Sequence, residues 1–481
     1  MYFSFPKSIL AISIVVCLTG CRLAEKVAEP DLTKMPEKYI GSVEPSTNNA
    51  MLSWREYFTD SLLISYIDLS LKNNLDLKMA LQRVRMAGAN LSISKGALLP
   101  ALSAVTTAGQ QRFGEYTMDG VGNFDTNFSN NITDDRRIPI NLPDYYVGFQ
   151  SSWEADVWGK LRNRKKAASA RFFASEKARH LIQTILVAEV ARHYYSLVAL
   201  DSKLSIIREN VKLQETAVIL IDAQKAAGRA TELAVKQFTA QLLNTQSLEA
   251  LVRQEIISHE NELNLLLGRY PQPIARGESI LRQALPSSLQ TGLPSQLLTL
   301  RPDVKLAELQ LLAARLDVNA ARSAFLPSFN LTTGLGLQSF TTRVLLNVPT
   351  STAYSVLGGM TAPIFNRSII RAEYRRASAT QLESFYAYQQ SILKAYQEVA
   401  TQLAKIDNLQ KSYQFKSQEV TVLAEGVAIS KDLFVAGMAS YLEVVMAQKS
   451  VLTAEFDAID SKQLQFNATI DLYRALGGGW N

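Results

Sequence analysis

Three histidines and two cysteines are the residues from which this 481-residue chain could build a reactive centre. His180, His193 and His259 all fall in segments of helical pattern. Thirteen residues separate the first two, about 1300° of rotation at ~100° per residue, which takes them far off a common face. That spacing yields no ligand pair, so no metal site is expected. Cys17 and Cys21 stand together at the extreme N-terminus. No later position can therefore supply a disulfide, a CxxC redox pair or a thiolate zinc site. Walker, G-x-S-x-G and H-E-x-x-H patterns are all missing. Enzyme chemistry has no residues to stand on, and neither catalytic residues nor a cofactor are expected. The 50 basic and 44 acidic residues leave a net charge of +6, spread along the whole chain. This is too dilute to argue for a nucleic-acid partner.

The one cysteine with a recognisable context is Cys21. Lys7 is followed by an apolar run from Ser8 to Leu18, long enough for a secretory leader and shorter than the ~20 residues that cross a bilayer. The tetrapeptide Leu18-Thr19-Gly20-Cys21 resembles a lipobox, in which the cysteine is diacylated and becomes residue one. Residues 1–20 then form a signal peptide, and 21–49 a lipid-anchored N-terminal segment. Each buried methylene contributes ~0.8 kcal/mol, so several acyl chains anchor firmly. Arg22, where an aspartate would favour retention at the inner membrane, points to the outer membrane.

The elements behind these residues are written twice. Asp76-Leu77-Lys78-Met79-Ala80 matches Asp303-Val304-Lys305-Leu306-Ala307, and Leu98-Leu99-Pro100-Ala101 matches Phe325-Leu326-Pro327-Ser328, both at an offset of 227. Ala227-Gly228-Arg229-Ala230 matches Ala436-Gly437-Met438-Ala439, and Leu267-Gly268 matches Leu476-Gly477, at an offset of 209. A duplication accounts for this, with an insertion of about 20 residues in the first copy. The polar stretch from Gln110 to Asp144 reads as the long loop that holds it. The first repeat covers 50–270 and the second 296–479. Between them, Pro271, Pro273, Pro286 and Pro294 punctuate a linker over 271–295.

Each repeat combines strands with a long helical hairpin. Between Gly159 and Gly268 the only glycine is Gly228, and no proline intervenes. Two helices meeting near 228 are predicted. Lys160 to Ala226 would be ~100 Å of helix. Leu197, Leu200, Leu204, Ile207, Val211, Gln214, Val218 and Ile221 keep alternating 3,4 spacing, the signature of heptad packing. The returning helix, 231–267, is shorter, and a helical pattern at 72–97 could stack on its end. The second repeat repeats the plan, with its tip near 437. Residues 145–157 and 328–337 alternate apolar with polar, as strands do. Weaker candidates at 100–112 and 353–365 bring the expected total to four. Apolar-out, polar-in strands suit a membrane barrel around water, but four strands cannot close, and open edges are not tolerated in hydrocarbon. Closure demands several chains. Three would supply twelve strands.

Together with the lipobox and the duplicated plan, Leu300-Arg301-Pro302-Asp303, Phe325-Leu326-Pro327-Ser328, Trp153-Glu154-Ala155-Asp156-Val157-Trp158-Gly159 and Ala475-Leu476-Gly477-Gly478-Gly479-Trp480 resemble the TolC-like outer membrane efflux family, in its NodT-type lipoprotein branch. The likeness covers nearly the whole mature chain. It implies a mainly α protein with a membrane β-barrel: a homotrimer whose 12-stranded barrel continues into a periplasmic α-helical barrel. It also implies a periplasmic membrane fusion (adaptor) protein and an inner membrane pump, commonly of the resistance-nodulation-division (RND) class. Such a channel performs no chemistry of its own. In this family, acidic residues past the second hairpin tip line a closed periplasmic aperture. Glu443 falls at one such position, and Met446 stands where a second acid is usual.

Two further expectations concern surfaces. The tips, with Gly228, Arg229 and Ala230 on the first hairpin and Gly437, Met438 and Ala439 on the second, lie farthest from the membrane and are expected to dock the adaptor. Lys160, Arg162 and Arg164 open the first long helix, and Arg367 and Arg371 the second. Cations oppose the helix dipole there, and outer membrane lipid phosphates at the barrel edge would favour them. The expected function is a passive conduit for small toxic compounds such as drugs and amphiphiles. Metal-ion export, protein (type I) export, and a non-conducting structural envelope lipoprotein remain as alternatives.

Overall fold

The structure, a computed structural model, describes residues 27–39, 52–285, 292–363 and 367–480. The expected signal peptide, Cys21 and part of the anchored segment lie outside the described residues, as does the side chain of Arg367. In chain order the helices are α1 (Trp54–Tyr57), α2 (Ser61–Asn73), α3 (Leu75–Gly96), α4 (Met118–Thr126), α5 (Lys160–Ala226), α6 (Glu232–Leu266), α7 (Leu297–Leu300), α8 (Pro302–Ser323), α9 (Arg367–Val435) and α10 (Tyr441–Ala475). The strands are β1 (Ala101–Arg112), β2 (Asn141–Ala155), β3 (Ser328–Ser339) and β4 (Thr352–Thr361). Two compact units divide the chain. One is built from 87–172 and 311–384 with a stretch ending at Glu29, the other from 30–86, 173–310 and 385–481.

The first unit holds a four-stranded antiparallel sheet in the order β1-β2-β3-β4. With strands of 10 to 15 residues, each is long enough to cross a bilayer, which takes ~9–11 tilted residues. Register puts like with like: Val147 faces Leu337, Phe149 faces Leu335, and Leu335 faces Tyr354. With Leu102 and Val356 these make one apolar face, and most of it is exposed. The opposite face carries Ser103, Gln150, Ser152, Thr332, Gln338 and Ser355. Because side chains alternate with period two, one register separates the apolar from the polar set. Gly148 lies directly opposite Gly336 on the polar face. A Cβ on either would come within 3 Å of the other's backbone and of the Tyr146 side chain. These strands accept no larger residue there.

The stretch from Gln110 to Asp144 is not the continuous loop that its composition suggests. β1 runs into it as far as Arg112, β2 begins at Asn141, and α4 lies between. Thr117 starts α4, its hydroxyl accepting from the Gly120 N–H at 3.1 Å. A hydroxyl at the N-cap is a helix signal that glycine and asparagine content conceals.

α5 and α6 form one hairpin and α9 and α10 another, and α5 from Phe173 and α9 from Phe385 belong to the second unit. α5 is a single helix of 67 residues and α9 one of 69. The 3,4 stripe of α5 is its packed side: Leu197 and Ile207 are fully buried, and even Gln214 is enclosed. The core gathers α1, α2, α5, α6 and α10, with Tyr195 stacked on Phe466 and Tyr57 on Tyr473 at ring separations of 4.4 and 4.1 Å. None of the described helices is long and apolar enough to cross a membrane.

Candidate functional site

Where β2 gives way to α5, the chain satisfies its own polar groups. Trp158 donates its indole N–H to the Pro327 carbonyl at 2.7 Å, and Trp153 donates to Leu98 at 3.1 Å. Both repeats of the Leu-Pro motif are thereby tied to the strand ends. Asp156 accepts from the backbone N–H groups of Leu161 and Arg162 and from the Arg162 guanidinium. Burial would raise its carboxyl pKa, but these donors hold it below the usual range. Lys160 is ion-paired with Glu154. The carboxylates that close β2 thus answer two of the cations that oppose the α5 dipole. Arg164 and Arg371 are exposed at the starts of the two long helices.

The hairpin tips share one construction. Gly228 and Gly437 adopt φ of +73° and +74°, the left-handed region that glycine enters without steric cost. A Cβ on either would meet nothing within 4 Å, so backbone conformation alone demands glycine. Behind each, Arg229 N–H returns to the Gln224 carbonyl and Met438 N–H to that of Leu433, both at 2.8 Å. Thr231 caps α6, and Ser440 caps α10 in a box completed by Glu443, whose carboxylate accepts the Ser440 N–H. The caps also keep the offset of 209. The two tips pack together, Ile221, Ala234 and Phe238 of the first against Phe434, Tyr441 and Val445 of the second. Outside that contact Leu233, Met438 and Met446 are exposed, as are Arg229 and Glu443.

The Arg301-Pro302-Asp303 motif is a buried clamp. The Arg301 guanidinium pairs with Asp303 at 2.6 Å and Glu398 at 2.8 Å, and donates to the Ala475 carbonyl at 2.8 Å. Burial opposes the Asp303 charge, yet the hydrogen bonds and charge of Arg301 hold its carboxyl below the usual range. Arg301 in turn is raised despite burial. The Arg301 charge is buried only because these two half-buried carboxylates answer it.

The histidines separate into two roles. His180 stacks on Trp480 at 4.7 Å; burial first, then Arg179 and Lys177, lower its pKa to about 4. His193 on α5 meets His259 on α6, Nδ1 to Nδ1 at 3.1 Å, and Glu262 lies beside both. Burial lowers the His193 pKa, against the raising effect of Glu262. The thirteen-residue spacing concerns His180 and His193 alone; His259 comes from the other arm of the hairpin. Spacing along one helix says nothing about pairs across a hairpin, and His193 and His259 lie nearly equidistant from Gly228.

The family described as "Outer membrane efflux protein" matches residues 66–269 and 293–478. The cation efflux system protein CusC of Escherichia coli O6:H1 is 28% identical over 480 residues, spanning 99% of both chains. The toluene efflux pump outer membrane protein TtgI of Pseudomonas putida is 27% identical, spanning 97% of both. The open-state structure of the Neisseria gonorrhoeae MtrE outer membrane channel superposes with a TM-score of 0.82, at 25% identity, covering 96% of this chain and 99% of that one. The chain belongs to the outer membrane efflux protein family, as an efflux channel of the outer membrane that extends into the periplasm.

Proposed function

We propose that three copies close their sheets into one twelve-stranded barrel and that the trimer is a passive conduit for small toxic compounds, drugs and amphiphiles among them. The observation that carries this reading is the sheet: four membrane-length strands, apolar on one face and polar on the other, ending in β1 and β4 as edges. An edge in hydrocarbon leaves backbone groups without partners, at several kcal/mol each. Pairing β1 of one copy with β4 of the next removes every edge. The polar face then lines the water path.

The remaining assignments rest on the same frame. Acyl chains on Cys21 anchor the N-terminus, and Arg164, Arg367 and Arg371 meet lipid phosphate at the barrel edge. Gly228, Arg229, Ala230, Gly437, Met438 and Ala439 present the docking surface for a periplasmic adaptor, which couples the channel to an RND-type pump. Glu443 and Met446 form the periplasmic aperture. The pump selects the cargo. The relative named for cation efflux favours a second reading, in which the same conduit carries metal ions.

The test is complementation in a strain that lacks its own outer membrane efflux channels but retains an adaptor and pump. Expression should lower the accumulation of a fluorescent amphiphile, and only when adaptor and pump are both present. Unchanged accumulation, with lowered accumulation of a transition-metal cation instead, would select the metal-ion reading. No change in either would count against export of small solutes.

A further inference from the structure

We propose that His193, His259 and Glu262 form a binding site for a divalent transition cation of the zinc class, joining α5 to α6 within the first hairpin. Among the described residues these three make the one group of histidine, cysteine or acidic side chains placed to hold a metal ion. The two Nδ1 atoms are 3.1 Å apart, and the Glu262 Oε2 lies 3.3 Å from His193 and 3.4 Å from His259. Two ligand atoms at ~2.05 Å from a tetrahedral zinc are about 3.3 Å apart. The observed triangle is therefore one face of such a coordination shell. An ion about 0.8 Å out of its plane would touch all three atoms at ~2.0–2.1 Å. Its fourth position would be left to water.

The surroundings are consistent with a cation. His193 is the more enclosed of the pair, and Glu262 is the most exposed of the three, which leaves an approach from solvent. The neighbouring Arg192 guanidinium is already held between Glu189 at 2.5 Å and Asp471 at 2.6 Å. Its charge is answered on both sides and does not exclude a second cation. His259 and Glu262 are three residues apart on α6, so they share a face of that helix, while His193 comes from α5. Two imidazoles and one carboxylate suit zinc, copper or nickel, and give magnesium and calcium, which take oxygen ligands, little to hold. Because the ligands come from two helices, an ion here ties the hairpin at a fixed register. Such an ion would be held whatever cargo the channel carries.

The experiment is equilibrium dialysis of the detergent-purified trimer, carrying no histidine tag, against zinc, with the bound metal counted by mass spectrometry. Cobalt spectra and thermal unfolding are recorded in parallel. The expected result is one zinc per chain, undisturbed by millimolar magnesium, four-coordinate visible bands with cobalt, and a zinc-dependent rise in melting temperature. His193→Gln and His259→Gln should each remove the bound zinc and the rise. Glu262→Gln should weaken binding about ten-fold or more. Circular dichroism and native mass confirm that each variant folds and trimerises, and the more exposed His259 and Glu262 keep the test open if His193→Gln does not. Equal zinc in wild type and His259→Gln, or no bound zinc in wild type, overturns the proposal.

Discussion

Asn74 and Arg301 do the same work at equivalent places in the two repeats. The Asn74 amide donates to the Leu266 carbonyl at 3.1 Å, and the Arg301 guanidinium donates to the Ala475 carbonyl at 2.8 Å. Asn74 precedes Arg301 by the offset of 227, and Leu266 precedes Ala475 by 209. In each repeat a helix that leads toward the strands begins where a returning helix ends, and one side chain bridges the junction. Gly268 and Gly477 follow at positive φ, packed so closely on Asn73 and Leu300 that a Cβ would clash. This is how a shorter returning helix is completed by a second one stacked on its end.

The charged clamp should matter more than the amide. Arg301→Gln leaves the half-buried Asp303 and Glu398 without their cation, at a cost of up to about 3–5 kcal/mol, the figure for a fully buried pair. Asn74→Ala removes two hydrogen bonds, the one to the Leu266 carbonyl and the one accepted from the Leu77 N–H at the start of α3, about 1–3 kcal/mol together. The folded-state pKa of Asp303 is depressed, so its contribution is present above the ordinary value of 3.8 and lost as pH falls through the folded one. Melting of the wild type should fall in that acid range, and that of Asp303→Asn should change less. Equal acid sensitivity would remove Asp303 from the account.

Close approach of Gly148 and Gly336 limits what the polar face of the sheet can carry. Gly336→Val should cost about 1–3 kcal/mol through overpacking and lower the yield of assembled trimer in membranes. Gly359→Ala, where a Cβ meets open space, should leave it unchanged. Gel analysis of unheated membrane samples separates the two cases; normal trimer from Gly336→Val would contradict the register.

At the hairpin tips, backbone conformation alone requires glycine. Gly228→Val and Gly437→Val force a β-branched residue into the left-handed region, at roughly 1–2 kcal/mol each. The barrel should still assemble, and efflux should be lost because the docking surface is reshaped. Normal drug tolerance in the double variant would argue against docking at the tips.

Three copies of Glu443 on the threefold axis would make a cation-attracting ring, because a narrow low-dielectric mouth focuses the field. Glutamine retains the capping-box bond to Ser440, so Glu443→Gln removes charge while keeping the cap. Cation preference and block by trivalent cations, measured in planar bilayers, should both fall. Equal values in wild type and variant would place Glu443 away from the pore.

Much of the fold was legible in the sequence because it depends on punctuation and period. Gly228 and Gly437 mark the turns, the stripe from Leu197 to Ile221 marks the packed face of α5, and alternation marks β2 and β3. α4 was hidden, since its start depends on the Thr117 hydroxyl within a composition that reads as loop. The partners of Lys160 and Arg162 were hidden too, because Glu154 and Asp156 belong to a strand end whose position relative to the helix no linear pattern states. His193 and His259 illustrate the same limit: 66 residues apart, they are brought together by a hairpin whose register had to be seen.

Reconstitution of the purified protein in a planar bilayer, with its mass measured in the native state, decides whether three copies close one channel. A trimer that conducts ions is expected, since only closure of three sheets gives the polar face a water-filled interior. A monomer that inserts without current, or an elongated oligomer without conductance, would contradict it.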